Sequence, residues 1–342
     1  MKKATIYDVA QKSGVSPATV SRVLNDTGYP VSKAAKEKVL KAAKVLEYEP
    51  NLLGKYLKTR TNKEIGVIIP NITNYYYPLL LLGVHDVAAE RGYHIILCNS
   101  YRDPEMEIQN LHLLTRKQVM GILSVSLNTS NDYLQKFVDK GGNMVLLENS
   151  PEIQCNKVTF DYFQGGYLAC KHLIELGHTK IGFAGAPLKR YSRIQQFEGY
   201  QKCLRDHGLE VNENFIYISQ EEKESKSVYE FENGRFLARM LLESPQKPTA
   251  LFCINDMTAI VMIQELYRNG VMVPQDISIV GFDNLNLSDV IIPSLTTVDQ
   301  RIYEMGSSAT NMLIDAYEKK TNGNRIIQLE PTLVVRDSTR SL

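Results

Sequence analysis

The feature that most constrains this chain is a repeated alternation of strand-like and helix-like segments, which begins at Glu64 and continues toward the C-terminus. Each strand-like segment is a continuous β-branched or apolar run, and most are followed by a stretch of helical pattern. Such repetition of β and α segments indicates a parallel sheet that is buried on both faces. The predicted strands are Ile65–Pro70, His94–Asn99, Gly121–Val125, Met144–Glu148, Val158–Asp161, Ile181–Ala184, Phe215–Ser219, Ala250–Asn255 and Ile277–Phe282.

The length of the chain, 342 residues, exceeds that of one ordinary domain, which has roughly 100–200 residues. Two parallel-sheet units fit into the part after Glu64 and meet near Asp161. In open α/β sheets, ligands bind outside the carboxyl ends of the strands. Polar residues recur at those ends, so the sequence predicts a site for a polar small molecule. They are Asn71, Asn99–Arg102, Ser124–Ser126, Glu148-Asn149, Asn255-Asp256 and Asp283-Asn284.

The segment from Thr5 to Leu46 predicts three short helices. Thr5 is followed by Asp8 at the spacing of a capping box, and Gly14 ends the first helix. Ser16 and Pro17 begin the second helix, and Ser32 caps a third, whose apolar face holds Val39, Leu40, Ala43 and Leu46. Two helices joined by a tight turn with glycine are typical of a helix-turn-helix.

Charge is distributed unevenly along the chain. Residues 1–60 carry twelve Lys and Arg against five Asp and Glu, a net charge of +7, whereas the remainder carries 27 against 33, a net charge of −6. A small basic head on an acidic body is expected for a nucleic-acid reader, although a solvated lysine-rich helix face has the same composition. Residues 51–63 form a helix-compatible linker that is too short to be stable alone and should be disordered unless something orders it.

Several classes of protein are disfavoured by composition. Hydrophobic residues make up 44% and charged residues 23%, which is ordinary for a globular chain and not for a disordered or collagen-like one. No apolar run approaches the roughly 18 residues of a membrane span, and no apolar segment follows the basic N-terminus, so we expect a cytoplasmic protein. The five cysteines form no CxxC pair, and Cys98 and Cys253 lie in apolar runs, where we expect buried thiols.

Motifs along the whole chain resemble the lactose/galactose repressor family of bacterial transcription regulators. In the head they are Thr5-Ile-Tyr-Asp-Val-Ala, Gly14-Val-Ser-Pro-Ala-Thr-Val-Ser-Arg-Val-Leu-Asn25 and Tyr48-Glu-Pro-Asn51. In the body they are Gly177-His178, Asn255-Asp256, Ser278-Ile-Val-Gly-Phe-Asp283, Pro293-Ser-Leu-Thr-Thr297 and Leu333-Val-Val-Arg336-Asp-Ser-Thr339.

The resemblance implies an all-α helix-turn-helix head, a hinge helix, and a periplasmic-binding-protein-like α/β body of two parallel-sheet subdomains joined by three crossover strands. The implied domains are the head, residues 1–50, and the hinge, residues 51–63. In the body, residues 64–161 with 294–322 form one effector subdomain, and residues 162–293 with 323–342 form the other. The implied function is sequence-specific DNA binding, most simply as a repressor, under allosteric control by a small molecule.

Burial of the Val20, Val23 and Leu24 stripe would turn one face of the second helix toward the major groove. That face carries Ser16, Pro17, Ala18, Ser21, Arg22 and Asn25. Arg22 can form a bidentate pair with guanine, and its alternative role is a phosphate clamp. Further phosphate contacts are expected from Thr5, Tyr7, Thr19 and Ser32, with packing between helices as the alternative for Tyr7.

The resemblance also places two hinge helices of a homodimer against the minor groove of double-stranded operator DNA. Leu57 matches the leucine that the family inserts between central base pairs, and Asn51 and Gly54 belong to the same contact segment. Gly54 stands where the family commonly has alanine, so this hinge is expected to form less readily.

Positions matching the family's sugar or purine pocket are Tyr76, Tyr77, Arg102, Glu148, Phe160, Gln196, Asn255 and Asp283. Hydrogen-bonding groups beside tyrosine faces suit a carbohydrate, so a mono- or disaccharide is the expected effector. The family often carries an arginine where this chain has Gln196, which disfavours a carboxylate-bearing or phosphorylated effector. The effector's identity and the repressor or activator sense do not follow from these residues.

His85 matches a position in the family's dimer interface, with an ordinary exposed histidine as the alternative. No leucine-heptad tail is present, which favours a dimer over a tetramer. The sequence predicts no metal site, because no histidine pairs with cysteine or acid at ligand spacing. No cofactor and no membrane partner are expected either. Three alternatives stay open: control by a protein co-regulator, as in the catabolite-control branch of the family; a sugar-binding transport protein; and an enzyme, for which neither GxSxG nor GxxxxGK[ST] occurs.

Overall fold

A computed structural model describes residues 4–24, 29–48, 62–127, 132–147, 153–219, 229–321 and 324–342. The chain forms two compact units, Met1–Asn62 and Lys63–Leu342, referred to below as the head unit and the body. The predicted hinge residues Asn51, Gly54 and Leu57, the recognition-helix residue Asn25 and the effector residue Glu148 lie outside the described residues.

Three helices build the head, as the sequence predicts: α1 Ile6–Ser13, α2 Pro17–Leu24 and α3 Lys33–Val45. Thr5 and Asp8 form the capping box, in which the Thr5 backbone N–H donates to Asp8 Oδ2 at 2.7 Å. Gly14 has φ +69°, the left-handed conformation that only glycine adopts without cost, and it ends α1.

Small apolar side chains from all three helices form the core of the head. Val20 and Val23 are buried from α2, as predicted, and Val39 and Ala43 are buried from α3. Leu40 was expected on the same face but is 49% exposed, because it is one residue, and hence about 100°, around the helix from Val39. Burial of the α2 stripe turns the opposite face of that helix to solvent.

The body contains two six-stranded sheets, in the orders β11-β5-β4-β3-β1-β2 and β12-β10-β9-β8-β6-β7. All pairs are parallel except β10 with β12. The strands are β1 Glu64–Ile69, β2 His94–Asn99, β3 Gly121–Ser124, β4 Met144–Leu146, β5 Asn156–Phe160, β6 Ile181–Gly185, β7 Ile216–Ile218, β8 Ala250–Cys253, β9 Ser278–Asp283, β10 Thr296–Asp299, β11 Ile326–Leu329 and β12 Thr332–Val334.

Helices cover both sheets and connect successive strands. They are α4 Tyr76–Glu90, α5 Pro104–Arg116, α6 Asp132–Asp139, α7 Tyr162–Glu175, α8 Tyr191–Asp206, α9 Tyr229–Glu243, α10 Asp256–Arg268, α11 Leu287–Val290 and α12 Ile302–Lys319. Each of the nine predicted strands is present, with ends that differ by a few residues. Within the described ranges, no helix is long and apolar enough to cross a membrane. All five cysteines are buried free thiols.

The chain passes between the two sheets at three places, which divide the body into a first half around β1–β5 and a second half around β6–β9. The first crossing follows Phe160. The predicted boundaries at residues 294 and 322 need correction. Strand β10 pairs with β9 and belongs to the second half, and β11 pairs with β5 and belongs to the first half. The chain therefore crosses near Gln300 and near Glu330.

Candidate DNA-reading head and effector cleft

The exposed face of α2 presents the residues predicted to read bases. Ser16, Pro17, Ala18 and Arg22 are exposed, and Ser21 is half-buried. The side chains of Pro17 and Ala18 bear no hydrogen-bonding group, and the bidentate pair of Arg22 with guanine stays a prediction. The guanidinium of Arg22 lies over the ring of Tyr29, 5.2 Å from its centroid.

The residues predicted to contact phosphates lie around α2. Thr5 and Ser32 are exposed and Thr19 is half-buried, and each hydroxyl also takes part in a helix cap. Tyr7 is 71% exposed, which contradicts the alternative of packing between helices. Five lysines of α3 are all exposed and add positive charge to this unit: Lys33, Lys36, Lys38, Lys41 and Lys44. The described head thus offers hydroxyls, one arginine and several ammonium groups, which are suited to a phosphate backbone.

A cleft opens between the two halves of the body, and side chains from both halves line it. It lies at the carboxyl ends of the strands, where the sequence predicted a polar site. Its lining consists of Asn74, Tyr76, Tyr77, Leu127, Tyr162, Arg190, Ser192, Arg193, Gln196, Glu230, Ile254, Asn255, Asp283 and Gln300.

Five of the eight predicted effector residues line this cleft: Tyr76, Tyr77, Gln196, Asn255 and Asp283. Tyr76 and Tyr77 begin α4 and contact each other edge to face, with ring centroids 5.2 Å apart. The Asn255 side chain caps α10 by accepting from the Thr258 N–H at 2.8 Å. Asp283 ends β9 with a positive φ of 129°, a conformation that turns the chain at the floor of the cleft.

Together with Glu230, Asp283 is one of two buried carboxyl groups in the cleft lining, with 8% of its surface exposed. Gln300 Nε2 donates to its Oδ1 atom. Burial raises the pKa of Asp283 well above its usual range, and the nearby Asp256 carboxylate raises it further, while the bond from Gln300 acts in the opposite direction. The raised pKa favours the protonated form, in which a carboxyl group donates as well as accepts hydrogen bonds.

Arg102 is not among the residues that line the cleft but binds one that is, and its role toward an effector stays a prediction. Its Nη2 atom donates to Glu230 Oε1 at 2.9 Å, and only 11% and 5% of the two side chains are exposed. Its guanidinium also lies 5.7 Å from the ring centroid of Tyr229. Glu230 accepts in addition from Asn74 Nδ2 at 2.8 Å. Because Asn74 and Arg102 belong to the first half and Glu230 to the second, these bonds tie the two halves together across the cleft.

Phe160 is likewise placed in the core rather than in the cleft. It is 3% exposed and packs edge to face against Tyr162 and Phe282, with centroid distances of 5.2 and 5.9 Å. Its apolar ring at the end of β5 fills the space beneath the first crossing between halves. The physical reason is that two aromatic side chains, Tyr162 and Phe282, pack against this ring.

The lining also contains residues outside the predicted set, above all Arg190, Arg193 and Glu230. Arg193 is 8% exposed and donates from Nη1 to the Pro187 carbonyl at 3.2 Å, and Arg190 immediately precedes α8. Two arginines thus lie in the lining together with Gln196.

Three acceptors in the lining have no hydrogen-bond partner within the described residues: Gln196 Oε1, Glu230 Oε2 and Gln300 Oε1. Buried polar atoms are normally hydrogen-bonded. Their convergence on one cleft, beside Asp283 and three tyrosines, is suited to a small molecule that carries several donors. Among the described side chains, no group of three His, Cys, Asp or Glu could hold a metal ion.

His85 lies on the outer face of α4, where 63% of its side chain is exposed. Its Nδ1 atom is 3.4 Å from Asp86 Oδ1, and Tyr303 donates its hydroxyl to the other carboxylate oxygen of Asp86 at 3.0 Å. The residue is thus accessible to a second subunit, and its place in a dimer interface stays a prediction.

Comparison with known proteins covers both parts of the chain. Residues 5–51 match the family described as bacterial regulatory proteins, lacI family, and residues 170–339 match the periplasmic binding protein-like domain. The HTH-type transcriptional repressor PurR of Haemophilus influenzae (strain PittEE) is 34% identical over 347 residues, which cover 99% of each chain.

Solved structures agree with this assignment over nearly the full length. The lac repressor dimer bound to operator and the anti-inducer ONPF superposes with a TM-score of 0.85 at 27% identity, covering 99% of this chain and 100% of that one. The transcriptional regulator CelR in complex with cellobiose gives a TM-score of 0.72 at 26% identity, covering 98% and 99%. With its helix-turn-helix head and two-sheet body, the chain belongs to the lacI family of bacterial regulatory proteins and is a DNA-binding transcriptional repressor.

Proposed function

We propose that this repressor binds its operator as a homodimer and that a small polar effector in the body cleft controls its affinity for DNA. The observation that carries the proposal is the cleft itself, where Asp283, three unpartnered acceptors and three tyrosines converge between two halves of the body. A ligand that contacts both halves favours one arrangement of them over another. The proposal includes no catalytic step.

A neutral sugar is the first candidate for the effector. Hydroxyl groups can donate to Gln196, Glu230 and Gln300, and tyrosine faces can stack on the apolar C–H surface of a sugar ring. The structural neighbour CelR was solved with cellobiose, which supports this class.

A purine is the second candidate. Its ring N–H groups can donate to the same acceptors, Arg190 or Arg193 can donate to a ring or exocyclic acceptor, and its flat face suits Tyr76 or Tyr162. Relatives that are 34% identical over the full length bear the name PurR, whereas the sugar-bound neighbour is 26% identical. The arginines in the cleft make this class more favourable than the sequence suggested.

The cross-cleft bonds of Glu230 suggest how the signal is generated. Asn74 and Arg102 in the first half bind Glu230 in the second, so the arrangement of the halves is set partly by polar contacts at the cleft itself. A ligand that donates to the second oxygen of Glu230 changes the strength of these contacts. A change of this kind typically couples two sites by about 1–3 kcal/mol.

The first experiment selects operator DNA from a random-sequence pool with the full-length protein at fixed salt. The selected duplex is then titrated with and without single sugars and purines. We expect a near-palindromic sequence and a change in Kd of at least severalfold with one class of compound. The Asp283→Asn variant should keep its operator affinity but lose the response, and Arg22→Ala should bind the operator measurably but more weakly, by about 1–3 kcal/mol.

The outcomes separate the alternatives. A response to sugars or to purines alone identifies the effector class. Operator binding that no small molecule alters, but that a phosphorylated protein from the cell alters, would replace the proposal by control through a protein co-regulator. Failure to select any sequence would contradict the operator-binding part of the proposal.

A further inference from the structure

Arg22 and Tyr29 form an exposed pair at the end of the recognition helix. The Arg22 carbon Cζ lies 5.2 Å from the centroid of the Tyr29 ring, within the distance of a cation–π contact. Tyr29 is 68% exposed and Arg22 is exposed as well. No described carboxylate forms an ion pair with Arg22. The aromatic ring is therefore the group in the described head that orients this guanidinium.

The backbone holds Tyr29 in place although its side chain is outside the core. Pro30 follows it and restricts Tyr29 to an extended conformation. Val31 packs against the apolar core of the head, and Ser32 caps α3 by accepting from the Ala35 N–H at 3.3 Å. Pro30 thus restricts the backbone of Tyr29, and Val31 and Ser32 hold the following residues against the helices of the head. The ring of Tyr29 extends to solvent from this fixed backbone. An exposed ring without a role in the core is available for a contact of another kind.

The geometry leaves the donors of Arg22 available. A guanidinium that stacks on an aromatic face keeps its N–H groups in its own plane, and these groups form the fork that matches the O6 and N7 atoms of guanine. Stacking also restricts the rotamers of a long side chain before DNA arrives, so less conformational entropy is lost on binding.

We propose that Tyr29 is a positioning residue for base readout: its ring holds the Arg22 guanidinium in the orientation that donates to a guanine edge. This inference rests on the proposed operator binding through Arg22. Tyr29 thus affects the choice of base only by orienting Arg22. The hydroxyl group of Tyr29 does not contribute to this effect.

The test compares two variants that differ in the ring. Tyr29→Leu removes the aromatic face and keeps an apolar side chain, whereas Tyr29→Phe keeps the face and removes only the hydroxyl. For the selected operator, we expect Tyr29→Leu to weaken binding about two- to fivefold and Tyr29→Phe to bind like the wild type. On a duplex in which the guanine facing Arg22 is replaced by another base, Tyr29→Leu and wild type should have nearly the same Kd. The preference of the variant for guanine over the other base should therefore be about two- to fivefold lower than that of the wild type.

A double-mutant cycle with Arg22→Ala separates positioning from direct DNA contact. In the Arg22→Ala background, Tyr29→Leu should have no further effect, because there is no guanidinium to hold. Thermal unfolding of each variant controls for the fold, and Tyr29→Ser provides a second ring-free variant if Tyr29→Leu alters stability.

Three results would overturn the inference. Equal losses for Tyr29→Phe and Tyr29→Leu would assign the effect to the hydroxyl, as in a phosphate contact. An undiminished loss in the Arg22→Ala background would show that Tyr29 acts independently of Arg22, and wild-type affinity for both ring-free variants would show that the pair is not used. If the wild type selects no sequence at all, the proposed operator binding fails, and the inference fails with it.

Discussion

His178 shows at the scale of one residue how burial changes the chemistry of a side chain. It is 2% exposed, and its ring nitrogens lie 2.9 Å from Thr249 Oγ1, 3.2 Å from Ser278 Oγ and 3.1 Å from the Arg340 carbonyl oxygen. The contacts join β9, the loop before β8 and the C-terminal segment. Burial lowers the pKa of His178 below its ordinary value, and the bond to the Arg340 carbonyl acts in the opposite direction.

The lowered pKa of His178 predicts that the contribution of this residue to the stability of the body falls on mild acidification. Below about pH 6.5 the unfolded chain binds a proton at this histidine, whereas the folded chain binds it only at lower pH. Buried carboxyl groups with raised pKa values, such as Asp283, act in the opposite direction, so the effect of His178 is measured as a difference between two proteins. Urea unfolding of wild type and His178→Gln at pH 7 and pH 5 gives this difference, and acidification should lower the free energy of unfolding of the wild type relative to that of the variant.

The exposed His112 provides the control for this measurement. His112→Gln should leave the pH dependence as in the wild type. Burial lowers the pKa of His172 as well, but this residue is present in both proteins and its contribution cancels in the difference. A pH dependence identical in wild type and His178→Gln would contradict the prediction.

Glu230 is the second residue whose position has a strong energetic consequence. Removing one partner of a buried ion pair leaves the other charge without compensation, at a cost of about 3–5 kcal/mol. Glu230→Ala should therefore lower the free energy of unfolding of the body by up to this amount, since Arg102 is left in a buried position. Glu232→Ala, on the same helix but exposed, should change it by less than about 1 kcal/mol.

Glu230→Gln refines this prediction. An amide oxygen can still accept from Asn74 and Arg102, so the loss should be smaller than for Glu230→Ala. Chemical denaturation of the purified variants gives the comparison. Equal stability of Glu230→Ala and wild type would show that the two halves are held together without this contact.

Two pairs of helices approach each other closely enough to require glycine at the contact. A Cβ at Gly83 of α4 would lie 2.1 Å from the Tyr303 carbonyl oxygen, and one at Gly306 of α12 would lie 2.2 Å from that of Leu80. In the second half of the body, Gly166 and Gly199 meet across α7 and α8 in the same way. The obstructing atoms are backbone, so no side-chain rotation can relieve the overlap.

The prediction is that Gly83→Ala separates α4 from α12 and destabilises the body. Overpacking of this kind costs about 1–3 kcal/mol, and the gain in helix propensity of about 1 kcal/mol offsets only part of it. The midpoint of urea unfolding should decrease. Glu90→Ala, at an exposed position of the same helix, is the matched control and should leave the midpoint close to that of the wild type. An unchanged or raised midpoint for Gly83→Ala would contradict the close contact.

At the scale of elements, the sequence predicts those strands that are long, apolar and followed by a helix. Strands β1–β9 fall on such apolar runs, whereas β10, β11 and β12 do not. Even so, β4 and β7 are short, and the described residues show no helix between β4 and β5. β11 has exposed isoleucine and glutamine side chains, and β12 is a three-residue edge strand. These strands form because the chain returns across the body, and only tertiary pairing with β5 and β9–β10 fixes them. The predicted boundaries at residues 294 and 322 are wrong for the same reason, since they depend on which strands β10 and β11 pair with.

The predicted site shows a similar limit. Asn255 and Asp283 directly follow β8 or end β9, so the rule of strand ends finds them. Glu230 and Arg193 lie in the first turns of helices that follow long connections, where no local pattern marks them as neighbours of the cleft. Arg102 obeys the rule but binds Glu230, because a buried arginine takes the nearest carboxylate. The pattern of residues along the sequence does not show which residues from distant segments contact each other at the cleft.

For the whole molecule, the proposed control requires that operator and effector act on one equilibrium. If an effector changes operator affinity by some factor, operator DNA must change effector affinity by the same factor. We therefore expect the effector Kd, measured by calorimetry with and without saturating operator, to shift by the factor seen in the DNA titration. A typical coupling of about 1–3 kcal/mol corresponds to roughly 5–150-fold.

Two variants make this last prediction specific to the sites described. Arg22→Ala should bind the effector as the free wild type does and show no shift at an operator concentration that saturates the wild type but leaves this more weakly binding variant free. Asp283→Asn should bind operator but not the effector. If both DNA and effector bind the wild type and the two shifts differ well beyond error, the compound acts at a second site or competes for DNA directly. The effector should change the operator Kd by the same factor by which operator DNA changes the effector Kd, and neither variant should show such a change at that operator concentration. This result would mean that DNA binding by the head and effector binding in the cleft are coupled through one conformational equilibrium of the protein.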